Sequence, residues 1–320
     1  MNDKIVIPAR CTAKLQEDLK KSYFVGEEKL DGSRYVLYLG FDPYDRHEGN
    51  TLLSRRISTV DAKFVDRTFQ VPHITEQDYG LDGTILDGEV FLNDFKTTSS
   101  IISSGPAVAI QKQKELGWLK YRVFDILKFK GKDIRGLSLE KRRKVLEEVV
   151  KRMNNKYVEP IEQFFEKFEE RFLGFVEDGG EGIIIKDSRQ AYGCGWAKWK
   201  KSFDVSCIVT GWKPGDEKGK YADTIGSLTL SAVQDNGDLI EIGFASGFDD
   251  KLRFEMAKNF EDYKGRVVDV FAQEISKNNR LRHPTFHRFR DDMNPEECKL
   301  SKVKEDLKKK PISRNKWRKS

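Results

Sequence analysis

The chain has 320 residues, 38% of them hydrophobic, 11% aromatic and 34% charged, which favours two packed cores over one. No apolar run approaches the ~18 residues of a membrane-spanning helix, and the opening MNDKIVIPARC lacks the basic-then-apolar layout of a secretory signal. The net charge of +6 is concentrated in residues 303–320, VKEDLKKKPISRNKWRKS, with eight basic and two acidic residues, so the rest of the chain is neutral.

In chain order, residues 10–22 read as a short helix ahead of a first strand. Period-2 patterns in YVLYL, GTILDGEVFL and YRVFDILKF then predict strands between residues 24 and 130. KTTSSIISSGPAV reads as a Ser/Thr-rich loop leading into a helix over 106–116. Ser138 stands where it can cap a predicted helix carrying Leu139, Val145, Leu146, Val149, Val150 and Met153. A second helix is predicted from Pro160, with Phe164, Phe165, Phe168, Phe172 and Phe175 as a core stripe and Gly179-Gly180 as its stop. Strand-like EGIIIKD and WAKWKKSFD close an α+β domain near residue 203.

Beyond it, VSCIVTGW, SLTLSAV, LIEIGFA and RVVDVFAQE read as short strands, with a hairpin turn at Asp235-Asn236-Gly237 and one helix over 249–263. About 100 residues of this grammar suit a small OB-type barrel. The basic tail points to a polyanionic partner, a solubilising extension being the plain alternative. Cys11, Cys194, Cys207 and Cys298 match neither a zinc site nor a disulfide framework, so reduced thiols and a cytoplasmic setting are expected.

Lys29 stands apart from the other basic residues. It lies between the apolar Tyr23-Phe24-Val25 and Tyr35–Leu39, beside the tight turn of Asp31-Gly32. A lysine is a nucleophile only when neutral, and its ordinary pKa of about 10.4 prevents that at pH 7. Nearby cations, a metal or burial would lower it. Lys186, Lys198 and Lys200 are candidate cations; residues two apart on a strand share a face, so Lys198 and Lys200 project together, toward an anion or toward solvent. Glu89 and Glu181 each flank a glycine beside an apolar strand, as pocket-wall carboxylates or as ordinary turn residues.

KLDGSR, residues 29–34, resembles the KxDGxR motif of ATP-dependent DNA ligases and mRNA capping enzymes. The companion segments follow in that family's order: SRR at 54–56, LDGEVF at 86–91, VFDIL at 123–127, EGIIIK at 181–186, WAKWK at 196–200 and HRFRDDMNP at 287–295. The nearest likeness is to the small bacteriophage-type ligases. The resemblance implies that Lys29 attacks the α-phosphate of ATP and that Glu27 reads the adenine amino group. It gives Arg34, Arg55 and Glu89 the ribose and later a 5′-phosphate, Phe124 the adenine face, and Lys186, Lys198 and Lys200 the phosphates. Glu89 and Glu181 would be the carboxylates for Mg2+ or Mn2+, and Arg288, Arg290 and Asp292 would orient the departing pyrophosphate. Two positions depart from the pattern: Met293 stands where lysine is usual, and Thr285 where many relatives carry arginine.

The resemblance therefore implies an adenylyltransferase domain (ATP-grasp-like, antiparallel sheets and helices) over 1–203, an OB-fold barrel over 204–302 and a flexible basic tail over 303–320. The expected substrates are ATP and nicked double-stranded DNA, for a monomer with no membrane association. With 28 residues ahead of Lys29, an additional N-terminal DNA-binding domain is not expected. A capping guanylyltransferase would normally carry aspartate where Glu181 precedes Gly182, and many RNA ligases lack a barrel with the final motif. A non-catalytic OB-fold binding protein would have no need of Lys29, Glu89, Glu181, Lys198 and Lys200 together.

Overall fold

The computed structural model describes residues 5, 11, 19–217 and 219–308, and the chain divides into two compact units, 1–200 and 201–320. The helix expected over 10–22 falls mainly outside the described residues, and 19–23 form turns. Among the described residues, no helix is long and apolar enough to cross a membrane.

The first unit holds an antiparallel sheet and a larger, mainly antiparallel one, with helices beside them. Its strands are β1 (Phe24–Glu28), β2 (Ser33–Tyr38), β3 (Thr51–Ile57), β4 (Phe64–Asp66), β5 (Ile85–Phe91), β6 (Lys120–Phe129), β7 (Lys132–Asp133), β8 (Val158–Pro160), β9 (Gln163–Phe164), β10 (Gly182–Asp187) and β11 (Trp196–Lys200). The larger sheet runs β4-β3-β2-β5-β6-β7, with β8 parallel to β6; the smaller runs β11-β10-β1-β9. Among the described residues, the α-helices that accompany them are α1 (Pro72–Thr75), α2 (Phe95–Ile102), α3 (Pro106–Leu116), α4 (Leu139–Met153) and α5 (Phe168–Glu177).

The core of the larger sheet forms where Leu37, Leu86, Tyr121 and Val123 meet Leu146, Val149 and Met153 of α4. The Tyr121 hydroxyl donates to the carbonyls of Tyr35 and Leu86, both at 3.0 Å, so its burial leaves no polar atom unpaired. Asp125 and Arg142, both fully buried, form a two-pronged ion pair at 2.7 and 2.8 Å beneath this sheet.

Two local expectations need correction. The Ser/Thr-rich stretch is a helix, α2, because the Asp94 carboxylate caps it by accepting from the Thr97 amide at 2.7 Å, while Ile101 and Ile102 bury their side chains. The helix expected from Pro160 starts only at Phe168. Lys167 takes a left-handed φ of 55°, and the preceding residues supply β8 and β9 instead. Phe165 is accordingly exposed, whereas Phe164 belongs to the smaller sheet's core with Phe168 and Phe172.

The second unit is an antiparallel five-stranded sheet, β14-β13-β12-β15-β16. Its strands are β12 (Phe203–Pro214), β13 (Ile225–Val233), β14 (Leu239–Ala245), β15 (Val267–Ala272) and β16 (Thr285–Arg290). Beyond β14, the Ser246 carbonyl accepts from the Phe286 amide at 2.8 Å, joining the two outer strands as barrel closure requires. Helix α6 (Asp250–Lys258) is followed by one tight turn at Phe260–Asp262, and α7 (Leu300–Asp306) packs on β12 and β13. Val303 is buried in this core, so the start of the expected tail is part of the fold; residues 309–320 lie outside the described region.

Candidate active site

Strand alternation builds the site. Ile183 and Ile185 of β10 and Trp199 of β11 face the apolar cluster of Phe24, Phe164 and Phe172. Their neighbours Ile184, Lys186, Trp196, Lys198 and Lys200 face the opposite way and line a cleft of about 680 Å³. Glu27 of β1 joins them, while Arg34, Arg55, Glu89 and Phe124 reach the same cleft from the larger sheet. The expected first-domain residues are thereby brought together, Glu181 through its ion pairs with Lys29 and Lys200.

Lys29 lies one residue beyond β1, and its backbone amide donates to the Gly182 carbonyl at 2.9 Å. Gly182 has a φ of 138°, and a Cβ there would stand 2.1 Å from the Trp199 carbonyl oxygen, so only glycine allows this approach. The preceding Glu181 carboxylate pairs with the Lys29 ammonium through one oxygen and holds Lys200 Nζ at 3.1 Å through the other. Burial pulls the Lys29 pKa from 10.5 down to about 8, Lys200 and Lys198 pull the same way, and Glu89 and Asp31 oppose them. Burial also pushes the Glu89 carboxyl up to about 7, against the pull of Lys29 and Arg34.

Arg34 forms a fork on Asp87, with contacts of 2.9 and 2.5 Å, and donates to the Tyr192 hydroxyl at 3.2 Å. Burial works against its charge, but the Asp87 carboxylate more than offsets that and raises its pKa. The guanidinium lies 5.0 Å from the centre of the Phe124 ring, which meets Trp196 edge-on at 6.2 Å. Lys186 departs from its expected grouping with Lys198 and Lys200. Its side chain is 1% exposed, and its ammonium pairs with Glu27 at 2.6 Å and sits 4.5 Å from the Trp196 ring and 5.0 Å from the Phe124 ring. The cleft thus has an aromatic end, built on Phe124, Trp196 and a buried ion pair, and a cationic part built on Lys29, Lys198 and Lys200.

Arg288, Arg290 and Asp292 belong to the second unit. Asp269 accepts from Arg288 at 3.1 Å and from Arg290 at 3.2 Å, and Arg290 also grips Asp292 at 2.6 and 2.8 Å. Hydrogen bonding from Arg290 lowers Asp292 to about 2. Met293 packs on Ile208, Val267 and Cys298, which gives a physical place to the residue that departs from the motif.

Among the described residues, two clusters bring carboxylate and histidine ligand atoms together: Asp42–His47–Asp66 and Asp204–Asp269–His287. Neither contains Glu89 or Glu181. Arginines already serve both clusters: Arg46 bonds Asp42 at 2.8 Å and Asp66 at 3.1 Å, and Arg288 and Arg290 bond Asp269.

Sequence reasoning missed Asp87, Tyr192, Trp196 and Gln163. Asp87 and Trp196 stand inside LDGEVF and WAKWK, where the two-residue alternation with Glu89 and Lys198 could have found them. Tyr192 and Gln163 carry no local signal.

The family model for the ATP dependent DNA ligase domain matches residues 7–202, and that for the DNA ligase OB-like domain matches 216–290. The DNA ligase of Methanocorpusculum labreanum is 29% identical over 302 residues, covering 83% of this chain and 51% of that protein. DNA ligase 2 of Korarchaeum cryptofilum is 33% identical over 157 residues, covering 44% of this chain and 26% of that protein. The chain spans about half the length, or less, of these relatives. A solved structure from a structure-function study of Lig E DNA ligases has a TM-score of 0.59 at 21% identity, covering 89% of this chain and 100% of that one, a likeness of fold.

Proposed function

The chain belongs to the family of ATP-dependent DNA ligase domains, and we propose that it seals 5′-phosphate/3′-hydroxyl nicks in duplex DNA through an adenylate carried on Lys29. The observation that carries this reading is the state of Lys29: a partly buried lysine with a pKa of about 8, touching a carboxylate and backed by two further lysines. At pH 7 about a tenth of such a lysine is neutral, against roughly one part in three thousand for an ordinary one.

In the first step the neutral Lys29 Nζ attacks the α-phosphorus of ATP. The N–P bond forms, the bond to the β-phosphate oxygen breaks, pyrophosphate leaves, and the amine proton passes to Glu181 or solvent. Lys198 and Lys200 stabilise negative charge on the phosphate. Phe124 and Trp196 offer faces to the base, and the Glu27 carboxylate accepts from its amino group. AMP then moves from nitrogen to the DNA 5′-phosphate, and the 3′-hydroxyl displaces it to form the phosphodiester. Arg34, Arg55 and Glu89 serve the ribose and then that phosphate, while Arg288, Arg290 and Asp292 orient pyrophosphate in the first step.

Mg2+ or Mn2+ takes oxygen ligands, which the Glu89 and Glu181 carboxylates supply in kind. Glu181 would give up Lys29 or Lys200 to hold such an ion, which would neutralise phosphate charge there. A monomer acting on nicked duplex completes the reading.

The test is incubation of the purified protein with α-labelled ATP or GTP. Label from ATP, lost in both Lys29→Ala and Lys29→Arg, is the expected result; arginine keeps the charge but cannot supply a neutral amine. Label from GTP would indicate a capping enzyme, and no label a binding module.

A further inference from the structure

Glu27 is the base-reading carboxylate of the proposed reaction, and its two oxygens are held from different strands. Lys186 of β10 pairs with Oε2 at 2.6 Å, and Gln163 of β9 donates its side-chain amide to Oε1 at 2.8 Å. The amide must present nitrogen here, because an ionised carboxylate only accepts. Glu27 is 2% exposed, so losing either partner would not be made good by bulk water.

Register puts Gln163 there. Glu27 and Gln163 are directly opposed in the β1–β9 pair, and Gly26 is opposed to Phe164. A Cβ on Gly26 would stand 2.1 Å from the Phe164 ring, so that ring occupies the space a side chain would need and fixes the two strands against slipping. A single ion pair to Lys186 leaves the carboxylate plane free to turn about its last bond. A second donor on the other oxygen, from the opposite neighbouring strand, fixes that plane.

We infer that Gln163, which does not itself line the cleft, is a positioning residue for nucleotide selection: it orients Glu27 so that a remaining carboxylate lone pair meets an amino group on the purine and repels a carbonyl oxygen at that place. This inference rests on the ATP-dependent reaction proposed above. The chemistry recognised is a hydrogen-bond donor at the purine 6-position, as in ATP, against a bare carbon or an acceptor.

The test compares wild type with Gln163→Met, of similar length without a donor, and Gln163→Glu, of the same size but acceptor-only when ionised. Protein-nucleotide formation is measured with ATP, with purine riboside triphosphate (which lacks the amino group) and with GTP; thermal melting identifies any variant that has lost its fold. A hydrogen bond to a charged group corresponds to about tenfold to a hundredfold in binding. Each folded variant is therefore expected to raise KM for ATP by about tenfold with kcat little changed, to leave purine riboside triphosphate unaffected, and to narrow the preference for ATP over GTP. A mere loss of folded protein would reduce all three nucleotides together. An unchanged ratio of ATP to purine riboside triphosphate in a folded, label-forming variant would overturn the inference alone. Failure of wild type to take label from ATP would overturn the reading beneath it as well.

Discussion

Replacing Lys200 by methionine should move the titration of Lys29 upward and so slow the first step most at neutral pH. The two ammonium groups sit on the two oxygens of the Glu181 carboxylate, which puts them about 5 Å apart. At an effective dielectric of about 20 their repulsion is about 3 kcal/mol. Glu181 lies between them, and Lys29 and Lys200 are 22% and 26% exposed, which reduces the effect to about 1.4 kcal/mol, or about one pKa unit. That share agrees with burial being the larger cause of the fall from 10.5 to about 8. The assay is the single-turnover rate of protein-AMP formation from pH 6 to pH 10. Wild type should rise through an inflection near the Lys29 pKa, about 8, and Lys200→Met through one about a unit higher, a fall of about tenfold at pH 7 that closes on the alkaline side. Weaker grip on the phosphate lowers the plateau without moving the inflection. An unmoved inflection, whatever the plateau, would refute the electrostatic argument.

Glu89→Gln tests the other perturbed group: the folded carboxyl titrates near 7, above its unfolded value, so its stabilising protonation is present in acid and is lost as pH rises from about 4.5 to 7. The variant should therefore melt a few degrees above wild type at pH 8 without nucleotide, with the gap shrinking toward pH 5. Arg142→Leu leaves Asp125 buried without its cation and should cost about 3–5 kcal/mol in denaturant unfolding of the first unit. Removing residues 309–320 should flatten the salt dependence of nicked-DNA affinity by about 0.9 in logarithmic slope for each DNA phosphate that the tail neutralises, while sparing protein-AMP formation. Truncation at 303 should additionally destabilise the second unit, because Val303 is buried.

Much of the site is written locally. Lys29 with its turn, and the alternation in EGIIIK and WAKWK, can be found within a few residues, because a strand's period fixes which neighbours share a face. Asp87 and Trp196 share that alternation; the rest of what escaped is set by distant partners. Strand β9 has only two residues and exists through its pairing with β1, so Gln163 has no local pattern to announce it. The Lys186 ion pair with Glu27 spans strands far apart in sequence, and a lysine's identity alone does not say whether it meets phosphate or carboxylate. The Ser/Thr-rich α2 was legible only through Asp94, since hydroxyl-rich stretches have weak helix preference until a cap and buried isoleucines decide the matter.

The two-faced strands β10 and β11 also determine which changes of length the gene can survive. Inserting or deleting one residue within either strand would turn Ile183, Ile185 or Trp199 toward the cleft and Lys186, Lys198 or Lys200 into the apolar cluster. Folding and chemistry would fail together, with no intermediate sequence that keeps one. The connection between β3 and β4 has no such coupling, as Val60 there is 95% exposed. Length variation among descendants of this sequence should accumulate in that hairpin and leave the spacing from Glu181 to Lys200 within each strand untouched.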